Sequence, residues 1–226
     1  MIDWNPLLIT FKLASITTVL LVIFGVPLSY WLANTRSRIK PFAETLVSMP
    51  LVLPPTVIGF YMLLAFSPSN AFGLWLDKWL GLRLVFSFEG LVLGSMIYSL
   101  PFMVHPVQAG FANLPPSLQR ASYVLGKSKL TTVVRVLLPN IKPSLITGII
   151  LAFAHTIGEF GVVLMIGGNL SGKTRVASIA IYDEVESLNY AAANTYSMIL
   201  FGITFVILLM VYLINGGYFK KNLGND

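Results

Sequence analysis

Among long apolar runs, three side chains have types that could do chemistry: His105, His155 and Glu159. His155 and Glu159 stand four positions apart, which on a continuous helix places them on one face. Glu159 is the one carboxylate deep in an expected membrane span, and carrying it there costs roughly 2.5–3.5 kcal/mol on insertion scales. It therefore needs a partner or water. Two roles fit: part of a gate on the wall of a passage, or a structural hydrogen-bond acceptor toward helix ends. A metal centre would need His105 to arrive from another helix as a third ligand, and no metal site is expected.

A second pattern misleads. Gly167, four residues, then Gly172-Lys173-Thr174 fits the phosphate-loop spacing G-x-x-x-x-G-K-S/T, and apolar Val162 to Ile166 before it could pass for a strand. Taken alone it would make the chain an ATPase. The preceding run, however, extends back to Ser144 as one membrane-length segment. Elsewhere there is no convincing apolar run ending in a magnesium-binding Asp. The match reads as accidental, and the segment as an outer loop. With no cysteine, disulfides, iron–sulfur ligation and thiol catalysis are excluded.

The elements that must position these groups are membrane helices. The 226 residues are 56% hydrophobic and 11% charged, with mean hydropathy +0.79, which does not suit a soluble domain. Crossing about 30 Å of hydrocarbon takes a helix of roughly 20 residues. Five runs are long enough, near Pro6 to Ala33, Leu46 to Phe66, Leu91 to Phe111, Ser144 to Ile166 and Ser197 to Gly216. The expected fold is all-α and transmembrane, with five spans, or six if the first run divides into a span and an interfacial helix. That first run is too long, and too poor in a small-residue cleavage pattern, for a removable signal peptide. With no repeat at a fixed period, one membrane domain over 1–226 is expected.

Positive charge sets the sidedness. Ten of the fifteen Lys and Arg fall in one set of loops: Arg36, Arg38 and Lys40, five between Arg120 and Lys142, then Lys220 and Lys221. Lys78, Arg83, Lys173 and Arg175 fall in the other. The N-terminus is thus expected outside and the C-terminus in the cytoplasm, and the net charge of +6 reflects topology rather than nucleic-acid binding. The outer loop 67–89 mixes Phe72, Trp75 and Trp79 with Gly73, Asp77 and Gly81, which suits a short interfacial helix. In the outer loop 167–195, Val176, Ile179, Ala180 and Val185 indicate a short helix beside the pore mouth.

The cytoplasmic loop 113–142 is basic and amphipathic. Pro115 and Pro116 stop the preceding span, and Leu118, Ala121, Ser122 and Leu125 recur at helical spacing as a small, mildly apolar stripe. Gly126 permits a sharp exit. A helix–turn–helix then runs into Leu138-Pro139. Such a stripe admits the close approach of another surface, while an ordinary solvated loop is the alternative.

Arg120-Ala121-Ser122, three residues, Gly126, nine residues, Val136-Leu137-Leu138-Pro139 resembles the E-A-A…G…I-x-L-P loop of ABC importer permeases. Ala121, Gly126, Leu138 and Pro139 match as written, Ser122 and Val136 are conservative departures, and Arg120 stands where the family has an acid. The likeness is closest to the molybdate branch: Ser48 to Tyr61, Gly81 to Leu84 with Phe86 to Gly90, and Gly158-Glu159-Phe160-Gly161 followed by Gly167 to Thr174 are similar to its segments. The resemblance implies a type I importer architecture with a cytoplasmic coupling helix, made of Arg120, Ala121, Ser122, Leu125 and Gly126 and continuing to Leu138 and Pro139. It implies a homodimeric permease in a bacterial or archaeal plasma or inner membrane, in contact with membrane lipid. Two cytoplasmic ABC ATPase subunits would use ATP and Mg, a periplasmic or lipid-anchored solute-binding protein would deliver the anion, and this chain would bind no cofactor. Tungstate or sulfate are alternative cargoes.

Pro50, Pro54 and Pro55 free backbone carbonyls that hydrocarbon cannot satisfy, so their segment belongs against protein or water. Pro54, Pro55 and Thr56 are expected on the translocation path with Glu159; a kinked helix packed within one subunit is the alternative. The spans carry no cluster of Lys or Arg that would hold a dianion tightly. This suits a conduit, with Thr56 and Ser99 easing the ion across. A membrane-embedded enzyme would need more convergent titratable groups. An ion-coupled secondary transporter should show a repeat or more spans.

Overall fold

A computed structural model describes residues 3–215, and among these the fold is all-α with no strand. Lys220 and Lys221, and with them the expected cytoplasmic C-terminus, lie outside the described residues. The first run is one unbroken helix, α1 (Asn5–Asn34), opened by Pro6 in its first turn, where a missing N–H costs nothing.

The second run is broken. The chain bends by 114° between α2 (Lys40–Val52) and α3 (Pro55–Phe66). The cause is local: a residue before proline is pushed out of the helical region. Leu53 precedes Pro54, Pro54 precedes Pro55, and both are extended, with ψ 138 and 136.

A short helix does form in the 67–89 loop, α4 (Ala71–Leu80), capped by the Asn70 side chain and closed by left-handed Gly81. Its Trp79 is 78% exposed. α5 (Phe88–Ala112) starts at a Ser87 cap and tolerates Pro101 and Pro106. The basic loop folds as α6 (Pro116–Val124), α7 (Lys129–Thr132), a π-helical turn (Val133–Leu137) and α8 (Leu138–Asn140). Beyond an 80° bend follows α9 (Lys142–Ile157).

The fourth run is not one helix. α9 ends at Ile157 and α10 (Gly161–Gly167) begins only after a three-residue break that contains Glu159. α11 (Ala177–Glu186) and α12 (Tyr190–Asn215) complete the order. Three helices, Asn5–Asn34, Phe88–Ala112 and Tyr190–Met210, are long and apolar enough to cross alone, and the two bent pairs bring the number to five if each is one crossing. A sixth has no counterpart among the described residues.

Apolar burial between helices in lipid gains little over lipid contact, so close packing and hydrogen bonds hold the bundle. α1, α5 and α9 pack together. Ser29 on α1 donates to Val104 O on α5 at 3.2 Å as well as to Gly25 O at 2.7 Å. The core has two main parts along α1. Leu13, Ile58, Leu91, Val162 and Ile179 cluster toward its N-terminal half, while Leu21, Val26, Met103, Leu137 and Ile141 cluster toward its C-terminal half. In α11 the stripe Val176, Ile179 and Ala180 is buried at 2%, 0% and 1%, so it faces the chain's own core, and only Val185 stays open.

Candidate functional site

The basic loop forms an elbow. Pro116 opens α6 in its first turn, and the helix is closed by bonds from Gly126 N to Tyr123 O (2.9 Å) and from Lys127 N to Ser122 O (3.1 Å). Gly126 has φ 73 and open space where a Cβ would stand, so backbone conformation alone demands glycine. The chain reverses and Ser128 caps α7 by accepting from Thr131 N.

Ser122 does not belong to the outward stripe. It is 5% exposed, and its hydroxyl lies 2.8 Å from that of Thr132. Thr132 gives its own proton to Ser128 O at 2.9 Å, so Ser122 is the donor. This bond fastens α6 to α7. Leu118 also turns inward, toward the second core cluster, and Leu138 packs there beside Leu137 and Ile141. Outward remain Arg120, Ala121, Gly126 and Pro139. With them stand Val124 and Leu125, which are 87% and 74% exposed. One side of the elbow is therefore locked to the bundle and the other presents bare apolar residues.

A second constellation lies where the two broken runs meet. A Cβ on Gly161 would stand 2.8 Å from Pro55 Cβ and 3.2 Å from Thr56 N, so α10 begins directly against the start of α3. Pro54 and Thr56 are exposed on this chain and Pro55 is half-buried. Glu159 is 3% exposed, and neither carboxylate oxygen completes a hydrogen bond within the chain. The Ser95 hydroxyl is its polar neighbour, near enough to interact with the carboxyl group but not in good hydrogen-bond geometry with it. The Glu159 carbonyl, freed by the helix break, accepts from Ser178 Oγ at 2.5 Å.

The expected pairing of His155 and Glu159 on one helical face fails because α9 stops at Ile157 between them. His155 is engaged elsewhere: its Nδ1 is 2.9 Å from Ser99 Oγ, and its ring stacks on Phe102 at 4.0 Å. Ser99 is fully buried and also bonds Thr156 at 2.9 Å, so it pins α5 to α9 rather than facing a path. His105 sits 3.3 Å from Ser48 and ties α5 to α2. No three His, Cys, Asp or Glu gather as a metal cluster among the described residues.

In the phosphate-loop lookalike a helix, α10, takes the place of the required strand. Thr174 is buried, donates to Gly167 O at 2.7 Å and accepts from Leu170 N at 2.9 Å. Its hydroxyl staples the loop and is closed to any ligand. Thr132, Ser178 and the role of Gly161 escaped the sequence reading. Only the Gly158-Glu159-Phe160-Gly161 run, two glycines around a carboxylate in apolar sequence, signalled a break.

An all-α membrane bundle with interrupted helices and a projecting basic elbow defines a membrane-embedded transport component. Residues 25–222 match the family described as binding-protein-dependent transport system inner membrane component, and the chain belongs to that family. It is the inner-membrane component of a binding-protein-dependent transport system, a permease rather than a catalytic subunit. The molybdenum transport system permease protein ModB of Azotobacter vinelandii is 45% identical over 213 residues, 93% of each chain. The putative molybdenum transport system permease protein YvgM of Bacillus subtilis is 30% identical, over 92% of each. Among solved structures, the inward-facing MetNI methionine ABC transporter shares the fold, with TM-score 0.70 and 16% identity over 94% of each chain.

Proposed function

We propose that two copies of this chain form the membrane passage of an ATP-driven molybdate importer, with the N-terminus outside and the elbow in the cytoplasm. The observation that carries the mechanism is the elbow, whose tip exposes Val124 and Leu125 while Ser122 ties α6 to α7 and Leu118 and Leu137 hold the other side to the bundle. An apolar tip backed by a rigid mount is what a soluble partner grips. Two ATPase subunits dock on Arg120, Ala121, Leu125 and Gly126 and use ATP and Mg; this chain binds neither. Pro139 stands on the outward side with those residues, while Ser122 and Leu138 act from behind, coupling that contact to the bundle.

Closure of the ATPases moves α6, and the Ser122–Thr132 bond carries the movement into α7 and the π-helical turn. Leu137 and Ile141 pass it to α9, which ends at the Glu159 break where α10 bears on Pro55. Shifting that contact opens Pro54, Pro55 and Thr56 to one side and then the other. Glu159 supports the junction from within, buried behind this surface. The anion crosses without a tight site, since a conduit that holds its ion strongly does not release it. A solute-binding protein at the outer loops 67–89 and 167–195 supplies selection. The molybdate reading is supported by the relatives named for molybdenum transport.

Reconstitution with the ATPase and binding protein in liposomes tests this. Molybdate should stimulate hydrolysis and enter, and Gly126→Val should abolish stimulated hydrolysis while the chain stays inserted. Normal stimulation in that variant removes the coupling role; stimulation by sulfate alone removes the cargo. Labelling of Lys127 from outside intact cells would overturn the sidedness.

A further inference from the structure

Where α1 ends beside the elbow, two adjoining cavities of opposite character share Tyr30 and Lys129. One, of about 510 Å³, is apolar, formed by Val26 and Pro27 on α1 and by Leu130, Val133 and Val134 across the π-helical turn. The other, of about 600 Å³, is polar, lined by Asn34, Thr35, Gln119, Tyr123 and the shared Tyr30 and Lys129. A third, of about 420 Å³, continues from Asn34, Thr35 and Gln119 to Arg36 and Lys40. None of the side chains lining the first two is acidic. Lys129 forms no ion pair among the described residues, and its ammonium lies 6.0 Å from the Tyr30 ring centroid. Arg36 is likewise in no ion pair there.

We propose that this is a binding site for one anionic phospholipid, its phosphodiester at Lys129 and at the Tyr123 hydroxyl, which accepts from Gln119 Nε2 at 3.0 Å and keeps its own proton to donate, and an acyl chain along Val26, Val133 and Val134. The place is right for it: the apolar cavity flanks the last turns of a membrane-spanning helix, and the polar one begins where that helix gives way to Arg36 and Arg38. A free phosphate would leave the apolar compartment empty, and a neutral lipid would leave the two cations unanswered. The π-helical turn sets Val133 and Val134 on this surface, and such turns recur at functional sites. The site depends on neither the transported anion nor a docked ATPase. A lipid here braces the base of the elbow.

The permease, assembled with its ATPase subunits in nanodiscs of equal phosphatidylglycerol and phosphatidylcholine, is released for native mass spectrometry. The wild-type complex should retain phosphatidylglycerol in excess. Lys129→Gln should reduce that excess about fivefold, as loss of one interfacial cation implies, Arg36→Gln by less, and Lys129→Arg should preserve it. Equal retention of the two lipids by the wild type, or an unchanged ratio in Lys129→Gln, overturns the site. An excess seen with the permease alone and lost when the ATPase is attached also overturns it, because the cavity then belongs to that partner.

Discussion

The elbow and the junction between Gly161 and Pro55 are both interruptions of helical structure, yet they are built in opposite ways. The elbow leaves its apolar tip bare and buries its polar link, Ser122 to Thr132. The junction buries an unpaired carboxylate, Glu159, and closes around it with backbone-to-side-chain contact at Gly161. One leaves apolar side chains uncovered by the rest of the chain, whereas the other is packed against the chain's own atoms. Substitutions at the first should therefore change association, and at the second, folding.

That contrast can be broken in four places. Gly161→Val forces methyl groups into Pro55 and Thr56, and overpacking of this kind costs about 3 kcal/mol, seen as a lowered thermal midpoint in detergent and loss of monodisperse protein. Leu125→Asp should weaken co-purification of the ATPase by about 2 kcal/mol, as truncation of an exposed anchor does, while the permease's own midpoint stays put. A fall in that midpoint would make the tip part of the fold.

Glu159→Gln replaces a buried, unpaired carboxyl group with an amide of the same shape. It should leave stability within about 1 kcal/mol with transport retained, since both side chains are neutral when buried; loss of uptake in a well-folded variant would put the carboxyl group on the path after all. Ser122→Ala removes one buried hydrogen bond but leaves Thr132 bonded to Ser128 O, a loss of about 1 kcal/mol measured by the same melt. Hydrolysis should then run less tightly linked to uptake. Unaltered coupling would show that packing of Leu137 and Ile141 suffices.

Much of this architecture was legible because its signals are local. Hydropathy marks α1, α5 and α12 by length alone, and the Pro54-Pro55 pair announces a break through backbone sterics. Gly126 announces a reversal. The angle of the break at Pro54 was not legible, since it depends on what α3 packs against. The division of the fourth run was hidden because Val162 to Ile166 continue the apolar pattern past Glu159, and hydropathy averages across three residues. Ser122 was misread for a related reason: periodicity puts it beside Ala121, and its true partner, Thr132, is ten positions away with no local mark. The same limit spoiled the pairing of His155 with Glu159, which assumed a helix that ends two residues too soon.

In the π-helical turn, the N–H of Leu138 reaches back five residues to Val133 O, so this stretch carries one residue more than α-helical winding requires. Taking up that surplus would advance the register by a single position, swinging everything beyond it by about 100° and about 1.5 Å along the axis. A step of that size between the handle and the shaft would need no turn of helix to melt.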